Sequence, residues 1–344
     1  MKRETACCRQ KDCGASFERS EKQGSRRGSY LIGVDGGGTK TVAAISDLNG
    51  RVLKSAPAGP SNPRNLGIEA AAENISAAIK KVLTEVKGEK NILAVVIGLA
   101  AVEEEFRTKK EAIKAEIIKQ PGMEKLSSAA IKIVGDPLIA FRAASEEKDG
   151  VVLIAGTGTS AYGWQGRKET KVSGWGWLAD EGSAFWSGQK TFQAIFQSLD
   201  GRLGKTLLTS LVFKRLGIKD KEELLEKIYS ADPIVFTALL SIYCDEASRQ
   251  DDKAAKKIMK EAGTALALSA NTVIKKLGLA KKKFPLVLIG GMFKSKVVLE
   301  AARKGIRRIA GKAEFILPKE EPVIGALKLA KELAEKEYAP DKAD

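Results

Sequence analysis

The apolar positions of this chain fall into two stretches that follow the same order. Residues 30–35, Tyr-Leu-Ile-Gly-Val-Asp, predict a short strand that ends in an aspartate. Gly36-Gly37-Gly38 turns the chain, and Thr39–Ile45 predicts the returning strand. Asp47-Leu48-Asn49-Gly50 is a further turn carrying the Asn-Gly pair that hairpins favour, so Arg51–Ala56 is expected as the third strand of an antiparallel meander. Ile68, Ala72, Ile75, Ile79, Val82 and Leu83 recur at helical spacing and predict an amphipathic helix over Ile68–Val86. A buried strand at Ile92–Leu99, a helix at Lys109–Lys119, a strand at Ala130–Val134 and a helix start at Pro137–Ala144 complete the first half.

The order then starts again. Val151–Ile154 predicts a strand, Gly156-Thr157-Gly158-Thr159 a turn and Ser160–Trp164 a strand, and a third strand after Gly166–Glu169 leads into a Gly/Trp-rich segment at 174–182. Helices are expected at Phe185–Leu199, Glu222–Ile228, Ile234–Arg249 and Ala254–Leu277. Phe284–Ile289 is a buried strand closed by Gly290-Gly291; a helix at Val297–Ala310, a strand at Phe315–Leu317 and a helix at Val323–Lys336 follow. Two halves that each run strand, glycine turn, strand, strand and then helices predict an α/β architecture of duplicated structure, with a cleft between the halves.

Composition narrows the chemistry. The 344 residues contain no histidine, which removes Ser-His-Asp and Cys-His catalysis and every imidazole base or metal ligand. Proton transfer must fall to carboxylates, lysines, tyrosines or water. Three of the four cysteines (Cys7, Cys8, Cys13) lie in the first thirteen residues, without a second ligand pair at zinc spacing, and only Cys244 lies in the body. This usage suits a reducing cytoplasm. The first 28 residues are polar and charged and read as a disordered extension, with no apolar core of the kind a secretory signal needs. The longest apolar run, Ile92–Val102, is too short to span a bilayer, so no membrane partner is expected. The net charge is +15, with basic clusters at Lys281–Lys283 and at Arg303, Lys304, Arg307 and Arg308. Acidic residues are interspersed and no basic stretch carries interleaved aromatics, which favours a solvated lysine-rich surface over a nucleic-acid site.

The glycine turns carry the chemistry. A P-loop is excluded: Gly33 to Gly38 has the spacing, but Thr39 stands where lysine is required, and Gly204-Lys205-Thr206 lacks its leading glycine at Leu199. No Gly-x-Gly-x-x-Gly opens a helix, which excludes a dinucleotide fingerprint. What remains is Asp35-Gly36-Gly37-Gly38-Thr39-Lys40-Thr41 in one hairpin and Ala155-Gly156-Thr157-Gly158-Thr159 in the corresponding hairpin of the second half. Each can offer backbone N–H groups and hydroxyls to phosphate oxygens, because glycine lets the backbone approach closely. Asp35, at a strand end, is placed to hold Mg²⁺ through water. Asp136, followed by Pro137, serves as a helix cap or as a base at a strand's carboxyl end. Trp164, Trp175, Trp177 and Trp186 crowd one short region; Trp164 and Trp186 read as core, whereas Gly174-Trp175-Gly176 reads as a cleft-lining loop with Asp180-Glu181-Gly182 directly after it.

In order, the segments Val34–Thr41, Pro60–Asn62, Val134–Asp136, Ile154–Thr159, Gly174–Gly176, Asp180–Ser183 and Leu288–Gly291 resemble the actin/hexokinase/Hsp70 ATPase fold. Specifically, they are similar to the N-acetylglucosamine kinase branch of the BadF/BadG/BcrA/BcrD-type ATPase family. The resemblance implies two ribonuclease H-like domains, at 29–143 and 144–321, with the terminal helix (322–338) packing back on the first. It implies ATP contacts at Asp35, Gly37, Gly38, Thr39, Lys40, Thr157, Gly158, Gly290 and Gly291. It implies sugar contacts at Asn62, Thr159, Ser160, Gly174, Trp175, Gly176, Asp180 and Glu181, with Asp136 touching the sugar as general base. ATP and Mg²⁺ are the implied cofactors, an amino sugar the implied substrate, and a homodimer the implied assembly. The chain departs from the branch in being one residue shorter between the tryptophan loop and Asp180, and in carrying Ser160 in place of asparagine. N-acetylglucosamine is the expected substrate, with glucosamine and N-acetylmuramate as variants. A [4Fe–4S]-bridging ATPase activator of a dehydratase or reductase is the alternative, and it needs thiolates that the body of this chain supplies only at Cys244. A sugar sensor without catalysis is disfavoured by Asp35, Asp136 and both threonine hairpins.

Overall fold

The computed structural model describes residues 28–84, 91–100, 102, 107–230 and 232–338. The cysteines at 7, 8 and 13 and the expected helix end at Val86 lie outside these residues. The chain divides into two compact units, one of residues 1–139 with 322–344 and the other of residues 140–321.

Unit 1 is built on a five-stranded sheet in the order β3-β2-β1-β4-β5. β1 (Ser29–Gly36), β2 (Thr41–Asp47) and β3 (Val52–Ala58) form the expected antiparallel meander, and β4 (Asn91–Leu99) and β5 (Ala130–Gly135) add in parallel beside β1. β4 is a continuous apolar run because it is covered on both faces. Val95, Ile97 and Leu99 belong to a core shared with α2 (Ile68–Thr84) and α3 (Arg107–Lys119), whereas Ala94 and Val96 pack with α11 (Pro322–Glu337). In α2, Ala72, Ile75, Ile79 and Val82 are all fully buried, and each such isoleucine contributes about 1.5–3 kcal/mol by leaving water. α11 seats closely on β1: a Cβ at Gly33 would stand 2.7 Å from the Leu327 nitrogen and 2.8 Å from the Val323 oxygen. Glycine at position 33 is what lets the last helix lie on the first strand. A four-residue helix, α1 (Pro63–Leu66), was not legible in the sequence.

Unit 2 repeats the arrangement. Its sheet runs β10-β9-β6-β7-β8, from β6 (Gly150–Ala155), β7 (Thr159–Gln165), β8 (Lys168–Ser173), β9 (Phe284–Ile289) and β10 (Ala313–Ile316). β6, β7 and β8 form an antiparallel meander, and β9 and β10 add in parallel beside β6. This is the strand order of unit 1 with β6 in the place of β1, so the duplication expected from the hydrophobic pattern is present in both sheets. The core gathers α5 (Ala184–Leu199), α6 (Leu207–Leu216), α8 (Pro233–Arg249), α9 (Lys253–Lys276) and α10 (Lys296–Arg307) around β6 and β9. Helix α6 is an addition to the expected elements; Thr206 caps its start and Gly217, in the left-handed region, ends it. The remaining helices are α4 (Asp136–Ala144) and α7 (Lys221–Ser230). Trp164 is buried against Phe141, with ring centroids 5.3 Å apart, and Trp186 packs against the core.

Candidate functional site

In unit 1 the hairpin between β1 and β2 places Gly38, Thr39 and Lys40 at an exposed tip, closed by the Gly37 N–H donating to the Lys40 carbonyl at 3.0 Å. The turn is braced from behind. The Gly37 carbonyl accepts from the Ser61 N–H at 2.9 Å, and the Thr41 hydroxyl lies 2.7 Å from both the Gly59 carbonyl and Ser61 Oγ. Thr41 and Ser61 are fully buried, so this network is shielded from solvent and rigid. Asn74, from α2, donates to the Pro60 carbonyl at 2.7 Å and holds the same segment. Asn62 follows it, half-buried, with its Oδ1 accepting from the Arg64 N–H at 2.9 Å as the N-cap of α1. Thus Gly37, Ser61 and Asn62 are drawn into one braced loop cluster.

Strand register sets the two aspartates. Asp35 is level with Gly98 of β4, which is level with Val134 of β5; Asp136 begins α4 two residues later. Both therefore stand at the carboxyl edge of the parallel strands β1, β4 and β5, with Pro137 favouring a helix start directly after the base candidate. No group of three or more carboxylates or cysteines able to cage a metal occurs among the described residues. The half-buried carboxylate of Asp35 at a strand end fits magnesium, which keeps waters and takes one or two protein carboxylates alongside phosphate oxygens.

In unit 2 the second hairpin has a three-residue turn, with the Gly156 N–H donating to the Gly158 carbonyl at 2.9 Å. The start of α5 docks onto it: the Ala184 N–H donates to the Gly156 carbonyl at 2.8 Å and the Phe185 N–H to the Thr157 carbonyl at 3.3 Å. Ser183 caps the same helix through the Trp186 N–H. The hairpin thereby satisfies donors that a helix start leaves open, and is stiffened in return. Thr157 and Gly158 are exposed; Thr159 is buried, with its hydroxyl lacking a partner, and Ser160 is half-buried. Gly290, at the end of β9, has φ +113°, and a Cβ there would stand 2.2 Å from the Ala155 oxygen. Only glycine lets β9 end flush against this hairpin.

Gly156, Thr157 and Gly291 open onto a cavity of about 600 Å³, in the range of small-molecule sites. Its other wall is a face of α8 that includes Val235, Ala238, Ile242 and Asp245. The sequence reading missed this wall. Its signal was the pair of apolar triplets Ile234-Val235-Phe236 and Ala238-Leu239-Leu240, broken only by Thr237, which together are wider than one buried helix face needs.

The tryptophan loop also lies in unit 2. Trp175 is 75% exposed, with the Lys171 ammonium 5.1 Å from its ring centre. Asp180 is buried, and its Oδ2 accepts from the Gly176 N–H at 2.9 Å, closing the loop, while Glu181 is exposed. Trp177 leans on Phe185, with ring centroids 4.8 Å apart. Gly174 lies between the Lys171 side chain and Ser160, so Gly174, Trp175, Gly176 and Ser160 cluster on one side of the unit.

Cys244 is buried, and desolvation pushes its thiol up to about 12. No helix among the described residues is long and apolar enough to cross a membrane.

Twin sheets of one strand order, each led by a braced glycine hairpin, define the ATPase fold shared by sugar kinases. A crystal structure from Chromobacterium violaceum, provisionally described as an N-acetylglucosamine kinase, has a TM-score of 0.66 at 23% identity and covers 88% of this chain and 98% of that one. A ROK family glucokinase from Streptomyces griseus, solved with glucose and AMPPNP, gives 0.52 at 18% identity, covering 88% and 99%. The chain belongs to the BadF/BadG/BcrA/BcrD ATPase family, which it matches over residues 32–330. It is 30% identical over 312 residues to the N-acetylmuramic acid/N-acetylglucosamine kinase of Clostridium acetobutylicum, covering 88% of this chain and 98% of that one. It is 31% identical over 318 residues to the N-acetyl-D-glucosamine kinase of Dictyostelium discoideum, covering 87% and 97%.

Proposed function

We propose that this protein is an ATP-dependent amino-sugar kinase that converts N-acetylglucosamine to its 6-phosphate. The carrying observation is the placement of Asp35 and Asp136 at one sheet edge beside a braced glycine hairpin, in a chain that aligns with kinases of this substrate along nearly their full length. Phosphoryl transfer asks the protein chiefly for positioning, charge neutralisation and one base.

In this reading Thr39, Lys40 and the glycine backbone of the first hairpin, with Thr157 and Gly158 of the second, bind the phosphates, and Gly290-Gly291 lies against the adenosine. Asn62, Thr159, Ser160, the Trp175 loop, Asp180 and Glu181 bind the sugar. Asp136 accepts the proton of the 6-hydroxyl as that oxygen attacks the terminal phosphorus of ATP; the bond from this phosphorus to the bridging oxygen breaks, and ADP leaves. Asp35 would hold Mg²⁺ through water, and the ion when bound neutralises charge on the phosphate oxygens. With no histidine in the chain, a carboxylate is the natural base. The activator reading is not favoured by the structure, since cluster ligation needs an accessible thiolate and Cys244 is buried with a raised pKa.

The deciding experiment is ADP release with Mg-ATP and N-acetylglucosamine, glucosamine, N-acetylmuramate, N-acetylmannosamine or glucose, against a blank without sugar. Dependence on N-acetylglucosamine supports the proposal. Hydrolysis at the same rate in the blank refutes it.

A further inference from the structure

Within unit 2, the α8 wall of the cavity is a single stripe. Val235, Ala238, Ile242 and Asp245 recur at intervals of three or four residues and share one helix face. Val235 is 63% and Ile242 58% exposed, so this face is not spent on the core; it offers an apolar bed to whatever enters the cavity. The stripe ends in a carboxylate with one satisfied and one unsatisfied oxygen. Asp245 Oδ2 lies 3.0 Å from Arg249 Nη2 one turn on, and Arg249 is itself 65% exposed at its side chain. Asp245 Oδ1 is buried and has no hydrogen-bond partner. Asp245 is not needed to cap its helix, which Asp232 does through the Ile234 and Val235 N–H groups. Because Oδ1 is closed to solvent, Oδ2 is the oxygen left to meet a ligand in the cavity, where it can accept an N–H or O–H alongside Arg249.

We infer that Asp245 selects the nucleotide, accepting a hydrogen bond from a nucleoside donor, either a ribose hydroxyl or the exocyclic amine of the base. The base then rests on Val235, Ala238 and Ile242, and the phosphates extend toward Gly156 and Thr157. This rests on the reading of the cavity as the ATP site. The carboxylate asks for a donor, so nucleotides lacking that donor lose affinity.

The test is equilibrium binding of ATP, 2′-deoxyATP, 3′-deoxyATP and purine riboside triphosphate (no exocyclic amine) to wild type and Asp245→Ala. Wild type is expected to bind one of the three analogues about 10- to 100-fold more weakly than ATP, which also tells which donor is used. Asp245→Ala should weaken ATP by a similar factor and leave that analogue unchanged, so the preference vanishes. An unchanged affinity for that analogue also reports a folded cavity. Equal ATP affinity in both proteins, or an equal loss for all four nucleotides, overturns the inference. Failure of wild type to bind any of the four overturns the ATP reading itself.

Discussion

Asp35 and Asp136 stand at the ends of two parallel strands of one sheet that are separated only by β4, with Asp136 two residues beyond the level of Asp35, which puts their backbones about 12 Å apart at ordinary strand spacing. Under the proposed function the two residues have separable duties, Asp35 toward the metal and Asp136 toward the sugar hydroxyl. Asp136→Asn keeps the shape and removes the proposed base. It should lower turnover by roughly 10²–10⁴-fold while leaving the dissociation constants of sugar and ATP near wild type. Single-turnover kinetics with titrated binding checks this, and near-normal turnover would remove Asp136 from the mechanism.

Gly290→Ala tests the seating of β9 on the second hairpin. The added methyl would meet the Ala155 carbonyl in a backbone conformation that side chains avoid, at a cost of about 2–4 kcal/mol. Urea unfolding should show this loss together with weakened ATP binding. Wild-type stability would mean that the strand end adjusts freely.

Trp175→Ala should do the opposite. With three quarters of the indole in solvent and a single cation–π contact to Lys171, the stability change is expected within about 0.5–1 kcal/mol. The KM for the sugar should rise severalfold. An unaltered KM would place the tryptophan outside the sugar site.

Cys244 gives a pH signature. Its thiol has an ordinary value of 9.0 and is raised to about 12 by burial, so the folded state holds the proton more tightly than the unfolded chain. The associated stability is fully present below pH 9 and is lost as pH rises toward 12. The stability advantage of wild type over Cys244→Ala should therefore shrink between pH 8 and pH 11 in urea titrations. A constant difference would show that the thiol is not shielded.

Much of this was legible in the sequence because it depends on local rules. Both glycine hairpins, the two meanders and the two-sided burial of β4 follow from strand-length apolar runs and turn residues. The Thr41–Ser61 hydrogen bond depends on residues twenty apart in the chain meeting, and no periodicity announces that. The α8 wall escaped for a related reason. Apolar residues surround that helix, and only its packing against α5 and α9 decides that Val235 and Ile242 are left facing a cavity. The short cap-to-cap helix α6 was hidden by its mixed Leu-Thr-Ser-Lys-Arg composition.

The seating of α11 on β1 through Gly33 also sets an order of assembly. Unit 1 takes its first strand from before unit 2 and the helix covering that strand from after it, with the whole of unit 2 encoded in between. During synthesis unit 2 can close while Leu31, Ala44, Ala94 and Val96 of unit 1 still await Val323, Leu327 and Ala330. A ribosome that stops before residue 322 releases a sheet with one apolar face bare, a product prone to aggregate or to be degraded.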